Sequence, residues 1–245
     1  MAVNLFQYFR VNKRPFFPRY RPLPAGLCYL CDTVLHKFDY LICRDCVRDL
    51  PFITHACPVC ALPGPANVVC ADCLNSKRLF INRSISVFRY EYPVNRLILD
   101  LKFHARLPLA GFFARMLALM ASGSRIALPD VFLPVPLHGS RLAIRGFNQS
   151  RLVAGHLSAL TGVPLDSHYC RRIRHTLTQS GLPASTRRRN LKGAFTVITE
   201  SREAPRHVGI VDDVVTTGTT AGEMAKALTE AGVKQIDVWS CSRAG

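Results

Sequence analysis

Hydrophobic and polar positions alternate in two different ways along the chain. Residues 28–73 are too few to build much of an apolar core, and cysteines recur there at short, regular intervals. From residue 84 onward, short apolar runs rich in β-branched residues alternate with longer runs whose apolar residues have helical spacing. This change of pattern predicts a small module followed by a larger domain of strands and helices.

The larger domain has an alternating order of predicted elements. Strands are predicted at residues 84–92, 130–138, 168–176, 193–198, 207–213 and 234–242. Helices are predicted at residues 93–105, 107–122, 148–162 and 219–232, with Pro93 at the start of the first and Gly162 at the end of the third. Strands that alternate with helices indicate an α/β fold with a mostly parallel, doubly wound sheet. Ligands of such sheets bind at the carboxyl ends of the strands.

Composition and charge limit the range of functions that the chain could have. The chain has 245 residues, enough for one sizeable domain and a small one, and 49% of them are hydrophobic. The formal net charge is +16, which favours an anionic partner such as a phosphate compound, a nucleic acid or an acidic surface.

The sequence favours a cytoplasmic location. No segment has the roughly 18 consecutive apolar residues that a membrane-spanning helix needs. The first residues are basic, aromatic and rich in proline, without the continuous apolar centre of a secretory signal. We expect residues 1–26 to form a basic arm.

Eight of the ten cysteines fall into four C-x-x-C pairs. Sequential pairing predicts two tetrahedral sites of four thiolates, made by Cys28, Cys31, Cys43 and Cys46 and by Cys57, Cys60, Cys70 and Cys73. Interleaved pairing would need longer crossings of the chain. Disulfides are disfavoured in a reducing compartment, an iron–sulfur cluster is a minor alternative, and redox chemistry is less favoured still. We expect two structural zinc ions that fold the module.

The segment HVGIVDDVVTTGTT, which starts at residue 207, carries the candidate binding chemistry. A buried strand ends at Asp212 and Asp213, and a threonine-rich loop then leads into a helix. Such a loop offers a phosphate backbone amides, hydroxyls and the positive end of the helix dipole, and Gly218 permits a tight turn. The acidic pair suits sugar hydroxyls or a hydrated Mg²⁺ instead. Together they predict a ribose-5-phosphate site.

This segment is similar to the phosphoribosyl-pyrophosphate signature of type I phosphoribosyltransferases. The resemblance implies that Asp212 and Asp213 contact the ribose hydroxyls. It also implies that the 5′-phosphate is wrapped by Thr216, Thr217, Gly218, Thr219 and Thr220. Magnesium is expected to bind together with phosphoribosyl pyrophosphate.

A second segment, LPVPLHGSRLAIRGFNQSRLVAGHL, resembles the ComF branch of that fold, which includes GntX-like DNA-utilisation proteins and usually carries an N-terminal double zinc ribbon. The change of pattern and the resemblance together predict a double zinc ribbon at residues 27–78 and a phosphoribosyltransferase-like domain at residues 79–245, whereas the arm at residues 1–26 has no counterpart in the resemblance. Pyrophosphate is expected on the main chain of Val135, Pro136, Leu137 and His138, with its charge neutralised by Lys102, Arg141 and Arg145.

The resemblance leaves two function classes open. In the first, a ComF-like protein binds phosphoribosyl pyrophosphate and acts in the uptake, utilisation or processing of single-stranded DNA, with DNA-uptake or recombination proteins as partners. In the second, the chain is a phosphoribosyltransferase of nucleotide metabolism with an unidentified small acceptor. The sequence identifies neither a catalytic base nor a nucleobase pocket.

An arginine-rich region favours the DNA-linked alternative. Six arginines flank or lie in one polar segment: Arg171, Arg172, Arg174, Arg187, Arg188 and Arg189. One sugar phosphate is too small to need all six, whereas a single strand offers many phosphates. We expect this cluster to bind single-stranded DNA.

Overall fold

The computed structural model describes residues 26–37, 39–75, 80–124, 126–174, 193–198 and 203–245. The predicted basic arm therefore lies almost wholly outside the described residues, as do Arg187, Arg188 and Arg189.

Helices and strands alternate through the larger part of the chain. The helices are α1 (Arg44–Arg48), α2 (Ala71–Asn75), α3 (Val94–Phe103), α4 (Pro108–Gly123), α5 (Gly139–Arg145), α6 (Gln149–Thr161) and α7 (Thr219–Glu230). The strands are β1 (Arg83–Arg89), β2 (Val131–Pro134), β3 (Cys170–Arg172), β4 (Phe195–Val197), β5 (His207–Val215) and β6 (Gln235–Arg243).

Four of these strands form the central sheet, in the order β1-β6-β5-β2. All three neighbouring pairs are parallel, so the carboxyl ends of the four strands meet at one edge. β5 and β6 lie in the middle and are buried along nearly their whole length, as parallel strands covered on both faces should be. β3 and β4 form a separate antiparallel pair.

Helices cover both faces of the sheet. Successive residues of a strand point to opposite faces, so Val211 and Trp239 pack on one side while Ile210 and Val238 pack on the other. The first side holds the apolar residues of α3, α4 and α6, and the second holds those of α7. The predicted parallel, doubly wound sheet is confirmed.

The segment after β2 differs from the prediction. The strand predicted at 130–138 ends at Pro134, and residues 139–145 form α5, which the pattern did not predict. Pro134 and Pro136 lack the amide hydrogen that a ladder needs, so the strand cannot continue. His138 instead has extended backbone, and its Nδ1 accepts a hydrogen bond from the amide of Ser140 (3.3 Å), capping the helix.

The cysteine-rich segment covers the outer edge of the sheet. Phe52 pairs with Phe88 of β1 in an antiparallel bridge. The amide of Ile53 donates to the carbonyl of Val87 (2.9 Å), and the amide of Arg89 donates to the carbonyl of Pro51 (2.8 Å). These residues satisfy backbone groups of β1 that would otherwise form an open edge.

This segment also shares the core of the larger domain. Cys28, Ile42 and Cys43 are buried in the same apolar cluster as Phe88 and the residues of α4. A hydrogen bond joins the two parts as well, since Tyr29 Oη donates to Asp100 Oδ2 of α3 (3.1 Å). The module and the sheet are therefore packed as one body rather than joined by a linker.

Gly209 of β5 provides a test of this packing. A Cβ at this position would lie 2.8 Å from both Phe132 Cδ1 and Pro129 Cγ, closer than real contacts allow. We expect Gly209→Ala to lower the free energy of unfolding by about 1–3 kcal/mol, measured by urea denaturation.

The matched control is Gly155→Ala in α6. Its Cβ would meet only Leu165 Cδ2, at an ordinary 3.9 Å. Because alanine favours a helix over glycine by about 1 kcal/mol, this variant should be as stable as the parent or more so. A stable Gly209→Ala would contradict the packing described for β5.

Candidate functional site

The loop after β5 lies at the carboxyl edge of the sheet. β5 runs to Val215, two residues further than predicted, so the acidic pair belongs to the strand itself. Gly218 caps α7 with φ +71°, a left-handed conformation that favours glycine. The Oγ1 atoms of Thr217 and Thr219 lie 2.8 Å apart beside the first turn of α7. The loop thus combines hydroxyls with a helix N-terminus, an arrangement suited to a phosphate.

Both carboxylates of the acidic pair are buried, and each has its own partner. Lys102 from the last turn of α3 forms an ion pair with Asp213 Oδ2. Gln149 Nε2 of α6 donates to Asp213 Oδ1 (3.4 Å). Asp212 Oδ1 accepts from Ser150 Oγ (3.1 Å) and from the amide of Asp213 (2.9 Å). Residues from α3, α6 and β5 therefore meet at the two carboxylates.

The two carboxyl groups differ in acidity. Burial raises the pKa of Asp212 well above its ordinary value, and the adjacent charge of Asp213 adds to this effect. Burial acts in the same direction on Asp213, but the ammonium of Lys102 outweighs it and lowers the pKa of that carboxyl. Lys102 therefore favours the ionised form of Asp213, whereas burial favours the protonated form of Asp212.

Guanidinium groups lie near the acidic pair. Arg145 Nη1 donates to Gln149 Oε1 (2.7 Å). Gln149 in turn donates to Asp213, so it links Arg145 to the acidic pair. Burial and the charge of Arg141 lower the pKa of Arg172 to about 10, and the charge of Asp212 opposes them. Arg145 and Arg172 thus add positive charge near the acidic pair, and Arg141 lies close enough to both of them to affect their surroundings. The arrangement suits a ligand with several negative charges and sugar hydroxyls.

The segment predicted to hold pyrophosphate, residues 135–138, offers fewer main-chain donors than expected. The amide of Val135 donates to the carbonyl of Val211 (2.9 Å), so it is engaged in the sheet. Pro136 has no amide hydrogen. Main-chain donation is left to Leu137 and His138. Asn148 fixes the segment because its Nδ2 donates to the carbonyl of Val135 (3.0 Å).

The arginine cluster is divided. Arg171 and Arg174 are exposed, whereas Arg172 is half-buried with its guanidinium 5.8 Å from the centre of the Phe195 ring. Arg171 and Arg172 differ because neighbouring side chains of β3 point to opposite faces, and Arg174 lies beyond the end of that strand. Arg187, Arg188 and Arg189 lie outside the described residues.

The eight cysteines form two clusters by sequential pairing. In each cluster the four Sγ atoms lie within 4.8 Å of one another, and no two of the cysteines form a disulfide. Amides donate to sulfur in both clusters, from Cys43 to Cys28 Sγ (3.2 Å) and from Cys70 to Cys57 Sγ (3.4 Å). Four converging sulfurs are a donor set that fits tetrahedral zinc and leaves no position for a catalytic water. The clusters are consistent with two zinc sites.

Sequence reasoning missed Gln149 and Ser150. Both lie in the first turn of α6, inside the segment that carries the family resemblance, but a polar first turn is ordinary for any helix. Only the packing of α6 against β5 brings their side chains to the acidic pair.

Within the described ranges, no helix has both the length and the apolar character that crossing a bilayer requires.

Comparison with known proteins extends these observations. A model of the double zinc ribbon domain matches residues 17–74. The DNA utilization protein YhgH of Salmonella typhi is 40% identical over 223 residues, which cover 89% of this chain and 97% of that protein. Competence protein F of Haemophilus influenzae is 33% identical over 224 residues, which cover 89% of this chain and 91% of that protein.

Among solved structures, glutamine phosphoribosylpyrophosphate amidotransferase from B. subtilis, complexed with ADP and GMP, aligns with a TM-score of 0.40 and 17% identity. The alignment covers 58% of this chain and 30% of that one. The sequence likeness to the two curated relatives extends over 89% of this chain. The chain therefore belongs to the ComF family of competence and DNA-utilisation proteins.

Proposed function

We propose that the chain binds phosphoribosyl pyrophosphate together with Mg²⁺ and acts in the cytoplasm in the uptake, utilisation or processing of single-stranded DNA. The observation that carries the first part is the buried pair Asp212–Asp213, held by Lys102 beside the threonine loop and the N-terminus of α7. The names of the relatives, a DNA utilization protein and a competence protein, support the second part.

Each part of the site has a role in this proposal. The carboxylate of Asp213 accepts hydrogen bonds from ribose hydroxyls, sharing its charge with Lys102. The loop from Thr216 to Thr220 and the first turn of α7 receive the 5′-phosphate. Leu137, His138 and Arg145 receive the pyrophosphate, and bound magnesium supplies further charge neutralisation. We also propose two structural zinc ions in the cysteine clusters.

Ligand protection tests the phosphoribosyl site. Phosphoribosyl pyrophosphate with Mg²⁺ at 100 times its dissociation constant should add about 2.7 kcal/mol of stability, seen as a higher melting temperature. Asp213→Asn alone would remove the direct ion-pair partner of the mostly shielded Lys102, at a cost of up to about 3–5 kcal/mol. Lys102→Met with Asp213→Asn removes both charges, so it should regain most of that stability and still gain no protection from the ligand.

The measurement is differential scanning fluorimetry with and without the ligand. Adenosine diphosphate with Mg²⁺ serves as a control for general pyrophosphate binding. Full protection of the Lys102→Met, Asp213→Asn variant would show that the ligand uses neither Lys102 nor Asp213.

Metal content tests the zinc sites. Reduced protein purified without chelator should carry two zinc equivalents, and Cys28→Ser should lose about one of them, measured by elemental analysis. Because Cys28 and Cys43 share the apolar core of the sheet, zinc removal should also shift the emission of Trp239, the single tryptophan of the chain.

Cys170→Ala is the matched control, since Cys170 is buried but lies in neither cluster. This variant should keep both zinc equivalents. Reduced protein without zinc would refute the metal assignment, and unchanged Trp239 emission after zinc removal would refute its coupling to the sheet.

Salt dependence tests the binding of single-stranded DNA. Affinity for a fluorescent oligonucleotide should fall with salt by a log–log slope of about 0.7 per phosphate contacted. Replacing Arg187, Arg188 and Arg189 with alanine should flatten that slope by roughly two to three contacts, whatever the sequence of the strand.

Lys234→Ala is the control for this experiment. Lys234 is exposed at the start of β6, at the opposite edge of the sheet from the acidic pair, and its removal should leave the slope unchanged. If the triple variant has the same affinity and slope as the parent protein, these arginines do not bind DNA.

A further inference from the structure

Phe103 is a large apolar side chain left in solvent beside the acidic pair. It is the last residue of α3 and is 64% exposed. Its neighbour Lys102 forms the buried ion pair with Asp213. In the described residues, the other aromatic side chain with comparable exposure is Tyr92, 80% exposed, which precedes the amino end of the same helix.

The ring of Phe103 is held in place by a cation. The guanidinium carbon of Arg145 lies 5.1 Å from the ring centroid, within the range of a cation–π contact. The same guanidinium donates to Gln149 Oε1, and Gln149 Nε2 donates to Asp213 Oδ1. Two routes, one through Lys102 and one through Arg145 and Gln149, therefore link the ring to one carboxylate of the site.

This geometry differs from ordinary surface packing. A phenyl ring with a guanidinium on one face has a second face, and the exposure of Phe103 leaves room for a planar group there. Positive charge lies around the ring, so a ligand that carries both an aromatic plane and phosphates would match it better than a purely apolar one. Nucleotides have this combination.

We propose that Phe103, backed by Arg145, is the surface on which a nucleobase stacks at the mouth of the site. The inference rests on the proposed function because it uses the acidic pair as the place where the sugar phosphate binds. The base is carried either by single-stranded DNA or by a free nucleobase that serves as acceptor. Stacking on an aromatic ring accepts any base, because every base has a π-face.

The test compares an oligothymidylate with an abasic oligonucleotide of the same length, which has the phosphates but no bases. Phe103→Ala should weaken binding of the oligothymidylate by about 5- to 150-fold, the range for one stacked base, and leave the abasic strand unchanged. Phe103→Trp should keep the preference for bases, whereas Phe103→Leu should lose it.

Tyr92→Ala is the matched control, since it removes the other exposed aromatic ring near the same helix. It should leave both affinities unchanged. The platform is refuted if Phe103→Ala binds the two strands in the same ratio as the parent, or if Tyr92→Ala loses as much.

Free adenine and thymine identify the source of the base. Quenching of the new tryptophan in Phe103→Trp by free bases supports a small acceptor, and quenching by oligonucleotide alone supports DNA. Quenching by neither would overturn the proposal.

Thermal protection by phosphoribosyl pyrophosphate separates this inference from the function on which it rests. Phe103→Ala should keep that protection in full. Failure of the parent protein to gain protection would count against the phosphoribosyl site, whereas a lost base preference in Phe103→Ala would still assign the stacking surface.

Discussion

The ion pair between Lys102 and Asp213 joins a helix to the central strand at the place where the ligand chemistry is concentrated. Asp213 is buried and Lys102 is mostly shielded, with 21% of its side chain exposed, so either charge without the other would be costly. The pair therefore fixes the end of α3 over the carboxyl edge of β5. Within the acidic pair, Asp212 is the less acidic carboxyl group, because its pKa is raised. A ligand that uses Asp213 must share the carboxylate with Lys102 or displace it.

Helix α3 connects the cysteine-rich segment to this site. Asp100 accepts a hydrogen bond from Tyr29, which lies between two cysteines of the first cluster. Lys102 reaches the acidic pair, and Phe103 lies at its mouth. The positions of Lys102 and Phe103 thus depend on a helix that the cysteine cluster helps to hold. A metal that folds this cluster would act on the site through packing, without any contact with the ligand.

The arginines in and just after β3 lie in two different environments. Arg172 is half-buried and interacts with Asp212, so its charge acts on the acidic pair. Arg171 and Arg174 are exposed on the same short stretch of chain. These arginines therefore do not form one surface, because β3 turns Arg171 and Arg172 to opposite sides and Arg174 follows the end of the strand.

Local patterns in the sequence were enough to determine several features. The C-x-x-C spacing predicted the sequential cysteine clusters, and apolar periodicity predicted the parallel, doubly wound sheet, because both depend on residues near one another in the chain. Only tertiary structure decided that Phe52 covers the edge of β1, that Gln149 and Ser150 reach the acidic pair, and that Lys102 pairs with Asp213. These contacts depend on which helix packs over which strand, and residues far apart in sequence determine that packing.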